Sequence, residues 1–182
     1  MANDEDLIWV EKVLKGDQQA FAILVKRHED VIYTLVHRIL KRKEEAEDTT
    51  QQVFIKAYQA LASFNRTALF STWLSRIAYN TAISEYRKLK NKVFLTDERL
   101  MNQIAVTFSD TDYDAEKEEK LALLNQTILR LEAEDSALIT FYYTQNQSVE
   151  QISQITGLTQ SNVKIKLFRI RKKLLEWMTE AN

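Results

Sequence analysis

Two residue types are missing from this chain and a third is nearly so. None of the 182 residues is cysteine, none is proline, and only Gly16 and Gly157 are glycine. Lack of cysteine excludes disulfides, thiolate metal sites and thiol nucleophiles, and is compatible with a reducing cytoplasm. Lack of proline, with so little glycine, leaves the chain almost without helix breakers, while alanine, leucine, glutamate, lysine and glutamine are plentiful. An all-α fold follows. No apolar run is long enough to span a membrane, and the acidic start, MANDEDLIWVEK, is unlike a signal peptide. There is no phosphate-cradling glycine loop, no Ser-His-Asp arrangement and no carboxylate–histidine cluster. His28 and His37 stand nine residues apart without companions, so partly buried or exposed helix histidines are a better reading than zinc ligands. No metal or cofactor is expected, and an enzyme is the least favoured class.

What is present is ordinary in amount and uneven in distribution. Hydrophobic residues make up 45% and charged residues 28%, as in a soluble globular protein of one or two small domains. The net charge of −1 hides a pattern. Residues 1–92 carry 15 basic and 12 acidic groups, residues 93–119 carry 2 and 8, and residues 120–182 carry 8 and 6. Two helical blocks therefore flank an acidic segment with weak helical periodicity, which reads as a flexible linker. The expected organisation is a domain over 1–92, a linker over 93–119 and a domain over 120–182.

In the second block, Ser148 to Lys173 reads as two helices and a turn. The first runs from Ser148 to Thr156 and buries Val149, Ile152 and Ile155. Gly157 lets the backbone turn through positive φ, Leu158 can fill the angle, and Thr159 offers a hydroxyl cap to the second helix. That helix places Val163, Leu167, Ile170 and Leu174 on one side. Ser161, Ile165, Phe168, Arg169 and Lys172 lie on the other, with Lys164 and Lys166 on the flanks. Six basic residues and no acidic one lie between Thr159 and Leu175. A helix that packs on one side and is basic on the other suits phosphates and a major groove. The alternative is a solvated basic helix in an ordinary bundle.

The first block should contain a short helix over Asp4 to Leu14, ended by Gly16-Asp17. A second, over Asp17 to Leu40, carries the stripe Phe21, Leu24, Val25, Val31, Ile32, Leu35, Val36 and Ile39. A third has Val53, Phe54, Ala57, Tyr58 and Leu61 on its apolar face. Its acidic start suits a helix N-terminus, but Asp48, Gln51 and Gln52 also form a plausible protein-docking patch. A fourth, from Phe70 to Lys92, turns Phe70, Trp73, Leu74, Ile77, Ala78 and Thr81 to the core. Arg76, Asn80, Ser84, Arg87 and Lys88 lie elsewhere, with Tyr79 and Tyr86. Basic groups beside aromatics suit single-stranded nucleic acid, or equally a core whose lysines complement the helix terminus.

In order and spacing these pieces resemble bacterial sigma factors of the extracytoplasmic-function (ECF) type, within the sigma-70 family. Residues 46–54, AEDTTQQVF, are similar to that family's AED-x-x-Q-x-V-F signature. Residues 70–80, FSTWLSRIAYN, are similar to its F-x-T-W-L-x-R-I-A-x-N signature, and the helix-turn-helix resembles its region 4. The resemblance implies that Asp48, Gln51, Gln52 and Phe54 dock on the β′ clamp helices of core RNA polymerase. It implies that Phe64, Asn65, Arg66, Trp73, Arg76, Asn80, Arg87 and Lys88 capture the unpaired strand of a −10 element. Ser161, Asn162, Lys164, Ile165, Lys166, Phe168 and Arg169 would meet a −35 element, and the other surface of region 4 the β flap. It also implies an anti-sigma partner, often at the membrane, for a cytoplasmic chain that does not itself insert.

The sequence departs from the family pattern in three places. Leu131-Glu132 stands where a Leu-Pro pair usually opens region 4. Ile165 replaces a small polar residue and suggests contact with a thymine methyl. The loop Asn65-Arg66-Thr67 lacks a usual glycine. Two rival functions are a conventional helix-turn-helix regulator that dimerises on a palindrome and a polymerase-bound regulator that does not choose promoters. The first needs only the C-terminal half, and the basic residues of both halves argue against the second.

Overall fold

The structure, a computed structural model, describes residues 5–94 and 123–180, all of the regular elements among them helical. In order these are α1 (Asp6–Leu14), α2 (Gln19–Leu40), α3 (Lys43–Ala60) with a 3₁₀ turn at Leu61–Ser63, and α4 (Phe70–Phe94). After them come α5 over residues 123–129, α6 (Ala133–Ile139), α7 (Val149–Thr156) and α8 (Gln160–Glu180). A π-helical turn, Thr140–Thr144, prolongs α6. Beyond Phe94 the acidic linker expected over 93–119 lies outside the described residues.

The turn from α1 to α2 is set by local chemistry. Gly16 takes φ 101°, and the Asp17 carboxylate accepts hydrogen bonds from the backbone N–H groups of Gln19 (3.1 Å) and Ala20 (3.3 Å). Asp17 thus caps α2 from outside it. α1 is then held on α2 by Val10, which is fully buried, and by the buried carboxylate of Asp6. His28 Nε2 lies 2.7 Å from Asp6 Oδ2, and Arg27 Nε lies 2.9 Å from Oδ1. Burial alone would raise the Asp6 carboxyl. The His28 hydrogen bond, with the charges of His28 and Arg27, outweighs it and holds the group below its ordinary value of 3.8.

The central element is α4. Its first side packs on α2 and α3 through Phe70, Leu74 and Ala78 as expected, while Trp73 and Ile77 are only half-buried. Its burial extends further, to Thr72, Ser75, Tyr79, Ala82 and Ile83, and α6 and α7 from the second half of the chain also pack against it. Tyr79, placed away from the core by periodicity, is 9% exposed, with its ring 6.1 Å from that of Phe141 in the π turn. In α2 the stripe is buried at Leu24, Ile32, Leu35, Val36 and Ile39, half-buried at Phe21 and Val25 and exposed at Val31, and in α3 Tyr58 is exposed while stacking edge-on against Phe21.

The helix-turn-helix forms as its sequence directs. Ser148 caps α7 in a reciprocal capping box with Gln151, and Gly157 closes the helix at φ 76°. Thr159 Oγ1 accepts from the Asn162 N–H (3.2 Å) at the start of α8. Val163, Leu167, Ile170 and Leu174 are all buried.

A depressed carboxyl such as Asp6 stabilises the folded state above its unfolded pKa and loses that contribution as pH falls through the folded value. Asp6→Asn should therefore cost about 1–3 kcal/mol at neutral pH. Urea denaturation at neutral and acid pH would show the gap between the two proteins closing once the wild-type carboxyl is protonated.

Candidate nucleic-acid interfaces

Three polar surfaces emerge from this packing. The first is the outer side of α3. The buried set Ala46, Thr49, Thr50, Val53 and Ala57 faces the core, so the turns between them send Asp48, Gln51 and Gln52 into solvent. Gln51 also borders a shallow groove between α2 and α3 lined by Glu29, Asp30, Tyr33 and Glu47. The patch is acidic and suits a basic partner surface. Phe54 does not join it: at 8% exposure it belongs to the core and supports the patch from beneath.

The second surface combines the 64–69 loop with one line of α4. Phe64 is buried and packs against Phe70 (5.8 Å) and Trp73 (5.2 Å), so it anchors the loop and cannot offer its face to a base without leaving the core. Asn65 Oδ1 accepts from both the N–H (3.2 Å) and the hydroxyl (2.8 Å) of Thr67, forming an Asx turn. Arg66, at the centre of that turn, takes φ 60°. The loop without its glycine therefore still uses a left-handed residue, and the arginine supplies it. The Arg66 guanidinium lies 3.1 Å from the Glu11 carboxylate of α1.

Along α4, Arg76, Asn80, Ser84, Arg87 and Lys88 are exposed at steps of four, four and three to four, so they form one line. Half-buried Trp73 continues the line toward the loop. The far half of the line forms one wall of an open cleft of about 510 Å³, with Glu134, Thr156 and Leu158 on the other. Arg87 reaches across to Glu134 (3.3 Å), and Lys88 pairs with Glu85 of its own helix (3.0 Å).

The third surface is the outer side of α8. Ser161, Asn162, Lys164, Ile165, Phe168 and Arg169 are exposed together, opposite the four buried residues. Ile165 is 48% and Phe168 67% exposed, which is unusual for groups of that size on a helix with a well-filled core side. Lys166 departs from the set by leaning back to Asp135 of α6 (3.7 Å). Exposed cations around two apolar side chains match what a major groove offers, phosphates at the edges and thymine methyls within.

Periodicity gave no sign of the residues that join the two halves. Arg38 and Lys41 sit at the end of α2, where basic side chains ordinarily complement a helix terminus. Here the Lys41 ammonium donates to the Leu131 carbonyl (2.6 Å), and Arg38 Nη1 donates to the hydroxyls of Thr144 (2.6 Å) and Thr140 (3.3 Å). Lys41 thereby fixes the chain just ahead of α6, the place where Leu131-Glu132 replaces a Leu-Pro pair. Burial lowers the pKa of both Arg38 and Lys41. Among the described residues no cluster of histidine and carboxylate side chains could hold a metal ion, and no helix is long and apolar enough to cross a membrane.

Both halves of the chain also resemble known proteins. Residues 24–92 match the family model for sigma-70 region 2, and residues 121–174 match that for sigma-70 region 4. The chain is 34% identical over 172 residues to the ECF RNA polymerase sigma factor SigW of Bacillus subtilis, covering 91% of this chain and 92% of that protein. It is 30% identical to the RNA polymerase sigma-H factor of Pseudomonas aeruginosa, covering 96% and 94%. Its fold is shared with CnrH, solved in complex with the cytosolic domain of CnrY, at a TM-score of 0.71 and 21% identity over 97% of this chain and 99% of that one. It is shared also with the sigma factor RpoE of Bartonella quintana, solved with the anti-sigma factor NepR, at a TM-score of 0.74 and 20% identity over 87% and 96%.

The left-handed backbone at position 66 yields a local test. Arg66→Gly should hold folding stability within about 1 kcal/mol, since glycine accepts positive φ and an exposed ion pair contributes little. Arg66→Val should lose more than that, because a β-branched residue is a steric outlier there. Chemical denaturation of the two variants beside wild type checks the order.

Proposed function

The chain belongs to the extracytoplasmic-function sigma factors of the sigma-70 family, and we propose that its three surfaces divide the work of promoter selection among polymerase, −10 strand and −35 duplex. As a sigma factor it is a transcription initiation factor and not an enzyme. In this reading residues 1–92 form region 2, 93–119 the linker and 120–182 region 4. Asp48, Gln51 and Gln52 dock on the β′ clamp helices of core RNA polymerase, over a core that Phe54 completes. The 64–69 loop with Trp73, Arg76, Asn80, Arg87 and Lys88 holds the unpaired strand of the −10 element, and Phe64 fixes the loop. Ser161, Asn162, Lys164, Ile165, Phe168 and Arg169 read the −35 element, with Lys166 close to the backbone, and the opposite side of region 4 meets the β flap.

The mechanism follows from weak contacts made together. Each DNA surface carries only a few cations, so each alone binds weakly and with strong salt dependence. Fixed by polymerase at the right separation, the two contacts act as one bivalent contact. Region 2 stabilises melted DNA by occupying the exposed strand, and the polymerase performs the chemistry. A cytoplasmic location and an anti-sigma partner, which could itself be membrane-bound, belong to the same reading. The two structural neighbours described above, each solved with a binding partner, support it.

The observation that carries the proposal is the outer side of α8, where cations and two large apolar groups share one exposed surface on a helix whose other side is filled. Run-off transcription tests it: purified chain added to core RNA polymerase with a pool of genomic promoter fragments should produce discrete new start sites. Sequence-preferring duplex binding without transcription would instead favour a conventional regulator.

Two double variants should separate the roles. Lys164→Ala with Arg169→Ala should leave polymerase affinity intact and weaken transcription from promoters that depend on the −35 element by about tenfold or more, given about 1–3 kcal/mol for a good base contact. Asp48→Ala with Gln51→Ala should do the reverse and weaken polymerase binding, measured by displacement of a labelled wild-type chain. Equal effects of both variants on both readouts would remove the assignment.

Ile165 has its own test. Replacing thymine by uracil throughout the −35 element should reduce transcription with the wild-type chain and have no further effect with Ile165→Ala. A uracil effect that persists in Ile165→Ala would place the methyl contact elsewhere.

A further inference from the structure

Three devices hold the 64–69 loop, and they differ in where they come from. Phe64 is sunk in the core against Phe70 and Trp73. Asn65 and Thr67 close the Asx turn from within the loop. The third tie reaches in from another element. Arg66 Nη1 lies 3.1 Å from the carboxylate of Glu11, which stands 55 residues earlier on α1.

Glu11 is on a firm base. Buried Val10 holds α1 on α2, and the buried Asp6 carboxylate is gripped by His28 and Arg27. α1 also packs against Leu61–Ser63, the turn that leads into the loop. Lys15 stands one helical turn on from Glu11, where ion pairs ordinarily form along a helix. The Glu11 carboxylate nevertheless turns to Arg66.

This pairing changes what Arg66 can do. Its charge is met by a carboxylate and directed at α1, so it is poorly disposed to neutralise a phosphate. At φ 60° it also occupies backbone space that glycine would enter freely, and a residue with a side chain leaves the turn fewer alternatives. Both effects narrow the loop before any strand arrives. Trp73, at the end of the exposed line on α4, packs on Phe64, so the loop and the line share one geometry.

We propose that Glu11 is a positioning residue for −10 base selection: through Arg66 it holds the 64–69 loop in the pose that receives the unpaired strand, and Arg66 serves as the tie to α1 rather than as a phosphate contact. The proposal rests on the sigma-factor reading of this surface and deepens it. An exposed ion pair contributes little to folding. A loop with few ties shifts its population when one is cut, and the fraction in the receptive pose scales the apparent affinity for the right strand. Poses released by the cut accept other bases, so the pair acts on base preference rather than on stability.

The test compares Glu11→Gln, Arg66→Gly and the charge exchange Glu11→Arg/Arg66→Glu. Core polymerase carrying each chain transcribes a promoter found by run-off, and versions of it with each single-base change in the −10 element. Both single variants should lower the preference for the original base by about two- to fivefold at the same −10 position. The exchange should restore it. Urea midpoints should stay near that of wild type, so the change is not a folding defect. The salt dependence of binding to a −10 single strand should also stay as in wild type, whereas Arg76→Ala should flatten it by about one phosphate contact. A phosphate-gripping Arg66 predicts the opposite sign: Glu11→Gln would free it, tighten strand binding and steepen the salt dependence. That result, or an unchanged base preference in Glu11→Gln, overturns the proposal. If the wild-type chain gives no transcript, the sigma role falls. Hydrogen exchange at the Thr67 amide, which the Asx turn protects, then decides the tie by itself. Faster exchange in Glu11→Gln supports it, and unchanged exchange removes it.

Discussion

A helix buried on two sides must find apolar partners on both, and α4 finds them in different halves of the chain. Its Phe70–Leu74–Ala78 side completes the bundle of α2 and α3, while its Tyr79 and Ile83 lie under α6 and α7. The remaining surface is narrow and polar, and it is that strip which carries Arg76, Asn80, Arg87 and Lys88 in line. Removing either set of partners would expose buried aromatic and aliphatic side chains to water, which is unfavourable. The positions of the loop before α4 and of the helix-turn-helix beyond it are both set by how this one helix is covered.

Charge in the described structure is sorted by surface rather than by net amount. Acidic groups gather along α2 and α3 around Gln51, and basic groups gather along α8 and the exposed strip of α4. A nearly neutral protein thus carries one acidic surface and two basic ones. Because the summed charge is close to zero, long-range attraction to nucleic acid is weak in the free chain, and binding depends on local complementarity at short range.

The helix-turn-helix was legible in the sequence because its determinants are local. A serine cap with its partner glutamine three residues on, a glycine at the end and a four-three-four apolar spacing leave little freedom. The buried and exposed sides of α8 follow from those alone. The surfaces of α3 were legible for the same reason. What periodicity could not show were effects that depend on distant neighbours. Tyr79 looked like surface because its partner, Phe141, comes from the other half of the chain. Phe54, which ends one motif, and Phe64, in the loop between the two motifs, are both core, since a motif shows which residues recur and not which way they face. Arg66 reads as a cation in a loop, and only the backbone reveals that it also replaces a missing glycine. Lys41 reads as a residue complementing a helix terminus, and only packing shows where it reaches.

The π turn at Thr140–Thr144 has a consequence for how the two halves meet. Such a turn closes its hydrogen bonds over one residue more than the α-helix it prolongs, which widens the coil without breaking the chain. Here the surplus lets Phe141 point at Tyr79 while Tyr142 and Tyr143 both come within 6 Å of the Arg171 guanidinium on α8. Taking one residue out of this turn would rotate the residues after it by about 100° around the helix axis, the angle one residue subtends. The contact of Phe141 with Tyr79 and the path into the helix-turn-helix would then have to change together, so the length of one turn ties the shape of the second half to its hold on the first.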